Sequence, residues 1–361
     1  MKISRLAPAG LLALALVAAG CGSGTDSGAD ASSDSSATGT VQLTNCGETK
    51  QYPSPTTRLF VNDGNIISIA LAAGAADDIV AVSSMQRDRD VLALKYGAET
   101  VDGLNQVAEK YPTMENIVAA SPQVVFAGWG YGFSEEKNLT PDGLSQQGIG
   151  SYLLSETCRQ DDGNRGTMDP WDALTTDIAN VGEMTGHEET AESVVADIND
   201  RRQALEQAPQ ADTRPTAFLF DSSSDTIFSS GSFGAPQAMM DSAGVTNALA
   251  DVEDTWTSVS WERLATADPD IIFFVDYPGQ SYDEKVEALR SNDATKDLAA
   301  VKEERFVNLP YAMWTSGPLN IDGAEYLRVA LEHYGLQPAS GVQTQLDLSE
   351  LADLPGNEWM K

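Results

Sequence analysis

Apolar positions in this chain fall into short continuous runs separated by stretches of helical period. From Arg58 the text reads RLFVNDGNIISIALAAGAADDIVAVSS. It predicts a strand over 58–62, a helix over 64–73 stopped at Gly74, and a strand over 79–83. Helices follow near 90–96 and over 114–120, then a strand over 123–127, a helix over 140–147 and a strand over 151–155. The runs Val124-Val125-Phe126 and Ile271-Ile272-Phe273-Phe274-Val275 show no polar alternation, as expected of strands buried on both faces of a parallel sheet. The period then changes. Residues 170–206 carry helical spacing with a break near Gly186, and no strand signal interrupts them. After Pro215 the alternation resumes: strands over 216–220 and 226–229, helices over 234–243 and 261–267, a strand over 270–275, a helix over 283–290, a strand over 305–308 and a helix over 321–335.

The fold class expected is therefore α/β. Two lobes, each with a mostly parallel sheet flanked by helices, are joined by one long rigid inter-lobe helix. The boundaries are 56–186 for the amino-terminal lobe, 187–208 for the inter-lobe helix, 209–340 for the carboxyl-terminal lobe and 341–361 for a tail.

One piece of text occurs twice. PTMENIVAASPQVVFAG at 112–128 matches VSWERLATADPDIIFFV at 259–275 when Glu115 is laid on Glu262, 147 residues later. Thr113 or Ser260 stands where a helix N-cap belongs, and the Glu falls in the first turn, where the helix dipole favours a carboxylate. Pro122 or Pro269 ends the helix, and a buried strand begins. Dipole complementarity accounts for both glutamates without any function.

The amino end changes the compartment. Lys2 and Arg5 precede an apolar stretch from Leu11 to Ala19, too short to span a bilayer at about 20 residues. This is the layout of a signal segment, 1–20, and AAGC at 18–21 resembles a bacterial lipobox with Cys21 as the lipidated residue. The Gly-, Ser-, Asp- and Thr-rich text that follows to Thr40 cannot bury enough apolar surface to order itself. It reads as a tether, and 21–55 as lipidated Cys, flexible tether and lead-in. The expected location is the cell membrane, lipid-anchored and facing outside the cytoplasm. Loss of Lys2 and Arg5 would take the formal charge from −32 to −34, which argues against nucleic acid. Cys46 and Cys158 remain as an even pair, and a disulfide between them is expected of an exported protein.

Candidate binding residues concentrate just after predicted strands. AGWGYGF places Trp129, Tyr131 and Phe133 after the 123–127 strand. LPYAMWTSG places Tyr311 and Trp314 after 305–308, and SSMQRDRD places Arg87 and Arg89 after 79–83. Trp256 stands six residues before Glu262. Carboxyl ends of parallel strands are where α/β folds hold ligands. Trp261 and Trp171 fall inside helices and read as packing.

RLFVNDGNIISIALAAG, MENIVAASPQVVFAG, the mid-chain helix and WTSVSWERLATADPDIIFF occur in an order that resembles the substrate-binding proteins of ABC importers for iron–siderophore complexes and vitamin B12. The resemblance spans Arg58 to about Leu336. It implies a ligand held between two lobes joined by a rigid helix, and a monomer that docks on a membrane permease through one exposed Glu on each lobe, here Glu115 and Glu262. It also implies a cleft position for Trp256. Aromatics with one or two Arg suit an organic chelate carrying its own metal, so a ferric siderophore ranks first and a corrinoid second. Haem is a further alternative, with Tyr131 or Tyr311 as iron ligand. No resident cofactor is expected. His187 and His333, the two histidines, fall on helices, which speaks against a bare-metal site. Neither a G-x-S-x-G elbow, a Walker loop nor H-E-x-x-H occurs, so an enzyme is not expected. A surface scaffold would lack a lined cleft.

Replacing Cys21 by Ser should shift the protein from the membrane pellet to the soluble fraction on cell fractionation. Unchanged pelleting would refute the lipid anchor.

Overall fold

The structure, a computed structural model, describes residues 39–351 and 354–360. The expected signal segment, Cys21 and nearly all of the tether lie outside those residues. The described chain opens on a hairpin of β1 (Gly39–Asn45) and β2 (Glu48–Ser54), which the polar text had hidden within the expected lead-in. Leu43 and Tyr52 bury one face of it. The Asn45 side chain bonds both backbone groups of Leu153, at 2.8 and 2.9 Å, so the hairpin is keyed to the first lobe. Its turn is tied down by a Cys46–Cys158 disulfide, with Cα atoms 5.2 Å apart.

The first lobe contains β3 (Leu59–Asn62), β4 (Ile79–Ser83), β5 (Gln106–Ala108), β6 (Val124–Trp129), the two-residue β7 (Gly132–Phe133) and β8 (Gly150–Leu153). The order β5-β4-β3-β6-β8 is parallel throughout, and β7 adds to the end of β6. The second lobe contains β9 (Thr216–Phe220), β10 (Ser222–Ser223), β11 (Ile227–Ser230), β12 (Thr246–Asn247), β13 (Trp256–Val259), β14 (Ile271–Asp276) and β15 (Phe306–Pro310). Its main sheet is parallel in the order β12-β9-β14-β15, and β10-β11-β13 form an antiparallel ribbon beside it. The fold is α/β with helices flanking the parallel sheets, as the alternation implied.

The strand runs are continuous because both faces are covered. Val61, Phe126, Leu219 and Phe273 point into one large apolar cluster shared by both lobes. Their neighbours Phe60 and Val125, or Phe218 and Phe274, fill separate clusters on the outer faces. The repeated text gives two helices of seven residues, Met114–Ala120 and Trp261–Ala267. Thr113 Oγ1 accepts from the Asn116 N–H and Ser260 Oγ from that of Arg263. Both helices stop at a left-handed residue, Ser121 (φ 50°) and Asp268 (φ 40°), and the strands that follow are six residues each.

Between the sheets in sequence run two helices, Pro170–Thr185 and Glu188–Glu206, with the turn at Gly186. A Cβ on Gly182 would lie 2.4 Å from that of Ala191, so glycine is what lets this helix pair close up. The second helix is bonded to helix Leu319–His333 by Arg201. Its guanidinium holds Glu325 at 2.8 Å through two nitrogens and Asp322 at 2.7 Å. Lys95, in helix Arg89–Tyr96, reaches the other Asp322 oxygen at 2.9 Å. No helix among the described residues is long and apolar enough to cross a membrane.

The disulfide closes a loop over a separation of 112 residues. In the chain-entropy picture, replacing both cysteines by Ser should cost roughly 4–5 kcal/mol at most. The measurement is the urea midpoint of the double variant. An unchanged midpoint would mean that Asn45 and Tyr52 hold the hairpin unaided.

Candidate functional site

The carboxyl ends of β3 and β4 meet those of β14 and β15, and charge is buried at the meeting. Asp63 follows β3 with φ 78° and Ser84 follows β4 with φ 58°. Non-glycine residues held there cost of order 1–3 kcal/mol each and persist only where their surroundings enforce them. Here both aim polar groups at one guanidinium. Arg87 donates to Asp63 Oδ1 and to Ser84 Oγ (3.3 Å), and its Nε lies 3.4 Å from Asp88 Oδ2. The Tyr311 ring centroid is 4.1 Å from Arg87 Cζ and that of Tyr277 is 5.6 Å away. Asp88 Oδ1 accepts from the Ala312 N–H at 3.1 Å, and Asn65 Nδ2 donates to the Ser316 carbonyl at 2.8 Å. Side chains of the first lobe thus bond the backbone just beyond β15 of the second. A Cβ on Gly64 would fall 2.2 Å from Asp88 Oδ2, so that position has no room for any other residue.

Both carboxylates are fully buried. Burial raises the Asp63 pKa against the pull of Arg87. It pushes Asp88 up to about 8, again opposed by Arg87 and assisted by the Asp63 charge. One guanidinium cannot neutralise two buried anions, and at neutral pH Asp88 carries the proton.

Beside this cluster opens a cavity of about 1030 Å³. The first lobe supplies Gln86, Arg87, Glu109, Lys110, Tyr111 and Lys137 to its wall, and the second supplies Tyr277, Pro278 and Gly279. Lys137 Nζ stands 5.4 Å from the Tyr111 ring centroid. A smaller cavity of about 600 Å³ between residues 160–170 and Ser232-Phe233 has one carboxylate, Asp169, and no cation in its wall.

The residues expected to bind ligand do not all gather here. Arg87 stands in the cavity wall with Tyr311 packed on it from behind the lining, but Arg87 is committed to the buried Asp63. Arg89 turns away to the surface and pairs with Asp102 at 2.6 Å. Trp314, expected in the cleft, is instead fully buried in the core, where its Nε1 donates to the Phe274 carbonyl at 3.0 Å. Tyr131 and Phe133 are buried too. Trp129 packs on Phe133 with centroids 5.9 Å apart and carries Arg159 at 3.8 Å over its ring. Trp256 lies on β13, stacked on Phe228, and its carbonyl accepts from Arg165 Nη2 at 3.0 Å. Glu115 and Glu262 are exposed on their helices. His187 bonds Asp78 at 2.8 Å and His333 packs on Trp359, both away from the cavity wall. Lys110, Tyr111, Lys137 and Tyr277 were missed. Tyr-Pro pairs directly after β5 and β14 were the available signal for the two tyrosines, since proline commits both segments to turns where a ring can face the opening.

A family model described as periplasmic binding protein matches residues 62–312. The chain belongs to the periplasmic binding protein family.

No curated protein matches it by sequence. Solved structures do match by shape. A periplasmic binding protein from Veillonella parvula superposes with a TM-score of 0.68 at 21% identity, over 82% of this chain and 98% of that one. An ABC-type Fe3+-hydroxamate transport protein from Saccharomonospora viridis gives 0.65 at 20%, over 81% and 98%. The vitamin B12 binding protein of Vibrio cholerae gives 0.56 at 20%, over 78% and 98%. At these identities the likeness is one of fold. Family membership makes this periplasmic binding protein a binder of solutes outside the cytoplasm rather than a catalyst.

Its Asp88 supplies a pH test. The folded pKa is about 8, above the unfolded value of about 3.9. Between these values the native state holds the extra proton, so the Asp88 contribution to stability falls as pH rises from about 4 to 8. Asp88→Asn keeps the acceptor for the Ala312 N–H but cannot ionise. Its thermal midpoint should decline less than that of the wild type between pH 5 and pH 8. Parallel declines would show that Asp88 does not titrate in this range.

Proposed function

We propose that this periplasmic binding protein captures a ferric siderophore between its two sheets, as a monomer, and hands it to an ABC permease in the membrane. The carrying observation is the cavity of about 1030 Å³ at the carboxyl ends of the strands, walled by both lobes. Its size suits a drug-sized organic chelate. Tyrosines and cations in one wall suit a ligand that combines flat rings with oxygen anions. A protein of the same fold, with a TM-score of 0.61 at 16% identity, is the petrobactin-binding protein of Bacillus subtilis. Haem ranks lower. Burial raises the pKa of Tyr111, Tyr131 and Tyr311 alike and favours the neutral phenol over the phenolate that ligates iron. A corrinoid has no specific observation in its favour.

Delivery would use Glu115 and Glu262. Each stands exposed in the first turn of an equivalent helix. The Thr113 hydroxyl bond comes first among the causes that lower the Glu115 pKa. For Glu262 its own backbone N–H leads, followed by Ser260. Both are therefore anions at neutral pH, fit to meet arginines on a permease and to set its register. A lipid on Cys21 would keep the protein near that permease.

A Glu115→Gln/Glu262→Gln double variant, purified from iron-limited culture, should fold and should carry an iron-chelate mass by native mass spectrometry. Uptake of the same labelled chelate by cells should fall to background. Normal uptake would reject docking through these residues. Absence of any chelate mass on wild type and variant alike would reject the ligand.

A further inference from the structure

The charges that the fold leaves unused point to the character of the ligand. Acidic residues outnumber Lys and Arg by 54 to 22, so an unpaired cation should be rare. Among the described residues, all Lys and Arg but four lie within 4 Å of a carboxylate. The four are Arg58, Lys110, Lys137 and Lys285. Arg58 donates to the carbonyls of Ala120 and Ser121 at 2.6 and 2.8 Å, capping the end of a helix. Lys285 is buried and donates to the Val275 carbonyl. Lys110 and Lys137 are left. Both are exposed, and both stand in the wall of the same cavity. They come from separate segments, one after β5 and one after β7.

We propose that Lys110 and Lys137 are specificity residues that select an anionic ferric chelate over a neutral one. The inference rests on the ferric-chelate reading above and adds the sign of the ligand. Arg87 cannot fill this role, because its charge is paired with the buried Asp63 and its guanidinium is covered by Tyr311. Among the described residues Glu109 is the only carboxylate in the cavity wall, so two ammonium groups meet one carboxylate there. Lys137 is further held over Tyr111, an aromatic face that places the ammonium without neutralising it. Elsewhere the dense carboxylate surface repels anions. This opening is where an anion meets attraction, and such a local reversal of sign steers a charged ligand to its site.

The experiment uses the whole protein and two synthetic probes: a ferric tris-catecholate, which is strongly anionic, and a neutral ferric trihydroxamate. Quenching of tryptophan fluorescence gives Kd for each at low and at high salt. The tris-catecholate should bind more tightly by about tenfold or more at low salt, and the margin should shrink as salt screens the lysines. Lys110→Gln/Lys137→Gln should lose about tenfold for the anionic probe, keep its affinity for the neutral one and retain its thermal midpoint. Equal or tighter binding of the neutral probe would overturn the proposal while leaving the ferric-chelate reading standing. So would a double variant that weakens both probes alike. If neither probe binds the wild type, the ferric-chelate reading fails and this inference falls with it.

Discussion

Two buried carboxylates sharing one guanidinium is the arrangement on which the rest of the site depends. Removing charge from water costs several kcal/mol per ion in real proteins, and an isolated pair rarely recovers it. The cluster around Arg87 survives because each partner is held by something else as well. Asp63 is fixed by the Gly64 N–H, Asp88 by the Ala312 N–H, and the guanidinium by two tyrosine rings. Gly64 is bare so that Asp88 can approach, and Asp63 and Ser84 accept positive φ so that their side chains converge. Because three of these partners, Ala312, Tyr277 and Tyr311, belong to the second lobe, the cluster that shapes the cavity wall also fixes one lobe against the other.

Apolar packing acts in the same direction. A single cluster takes side chains from the inner faces of both sheets and from the helices between them, including Ile178, Ile198, Met239 and Leu327. Rotating one lobe away from the other would expose part of that surface, at roughly 25 cal/mol per Å². Arg201 adds a polar lock within the helical layer, with three charge-assisted bonds to Asp322 and Glu325. A ligand entering the cavity therefore meets walls whose spacing is largely set beforehand. Less ordering is then required on binding, which favours affinity from few contacts.

The regular elements were legible because their signals are local. Continuous apolar runs, a helical stretch broken at Gly186 and caps at Thr113 and Ser260 each act over a few residues, and each gave the expected element. The hairpin Gly39–Asn45/Glu48–Ser54 was not legible, since Leu43 and Tyr52 are its only buried apolar residues and its anchors, Leu153 and Cys158, are distant in sequence. Trp314 shows the limit at the site. A tryptophan after a strand can face the cleft or turn into the core, and the choice was made by the Phe274 carbonyl, forty residues away in sequence. Arg87 and Arg89 show it again. They are two residues apart, yet a short helical turn at Gln86–Asp88 sends one to Asp63 and the other to Asp102. Lys110 and Lys137 stand out only against the pairing of every other Lys and Arg among the described residues.

The duplicated βα text has a physical origin that does not compete with a docking role. β6 and β14 are interior strands, each hydrogen-bonded to parallel neighbours on both sides, β3 with β8 and β9 with β15. The connection into such a strand must cover one face of the sheet and then reverse sharply. A seven-residue helix, capped by a hydroxyl and ended by a left-handed residue, does this in both lobes. The second helical position then points a side chain away from the sheet, and a carboxylate there meets the exposed N–H groups of the first turn. Equivalent placement of Glu115 and Glu262 follows from the shared architecture alone. Their mutual separation does not follow from either helix. It is set by the common core and the buried ion cluster, so any partner that recognises both glutamates reads how the two lobes are set against each other.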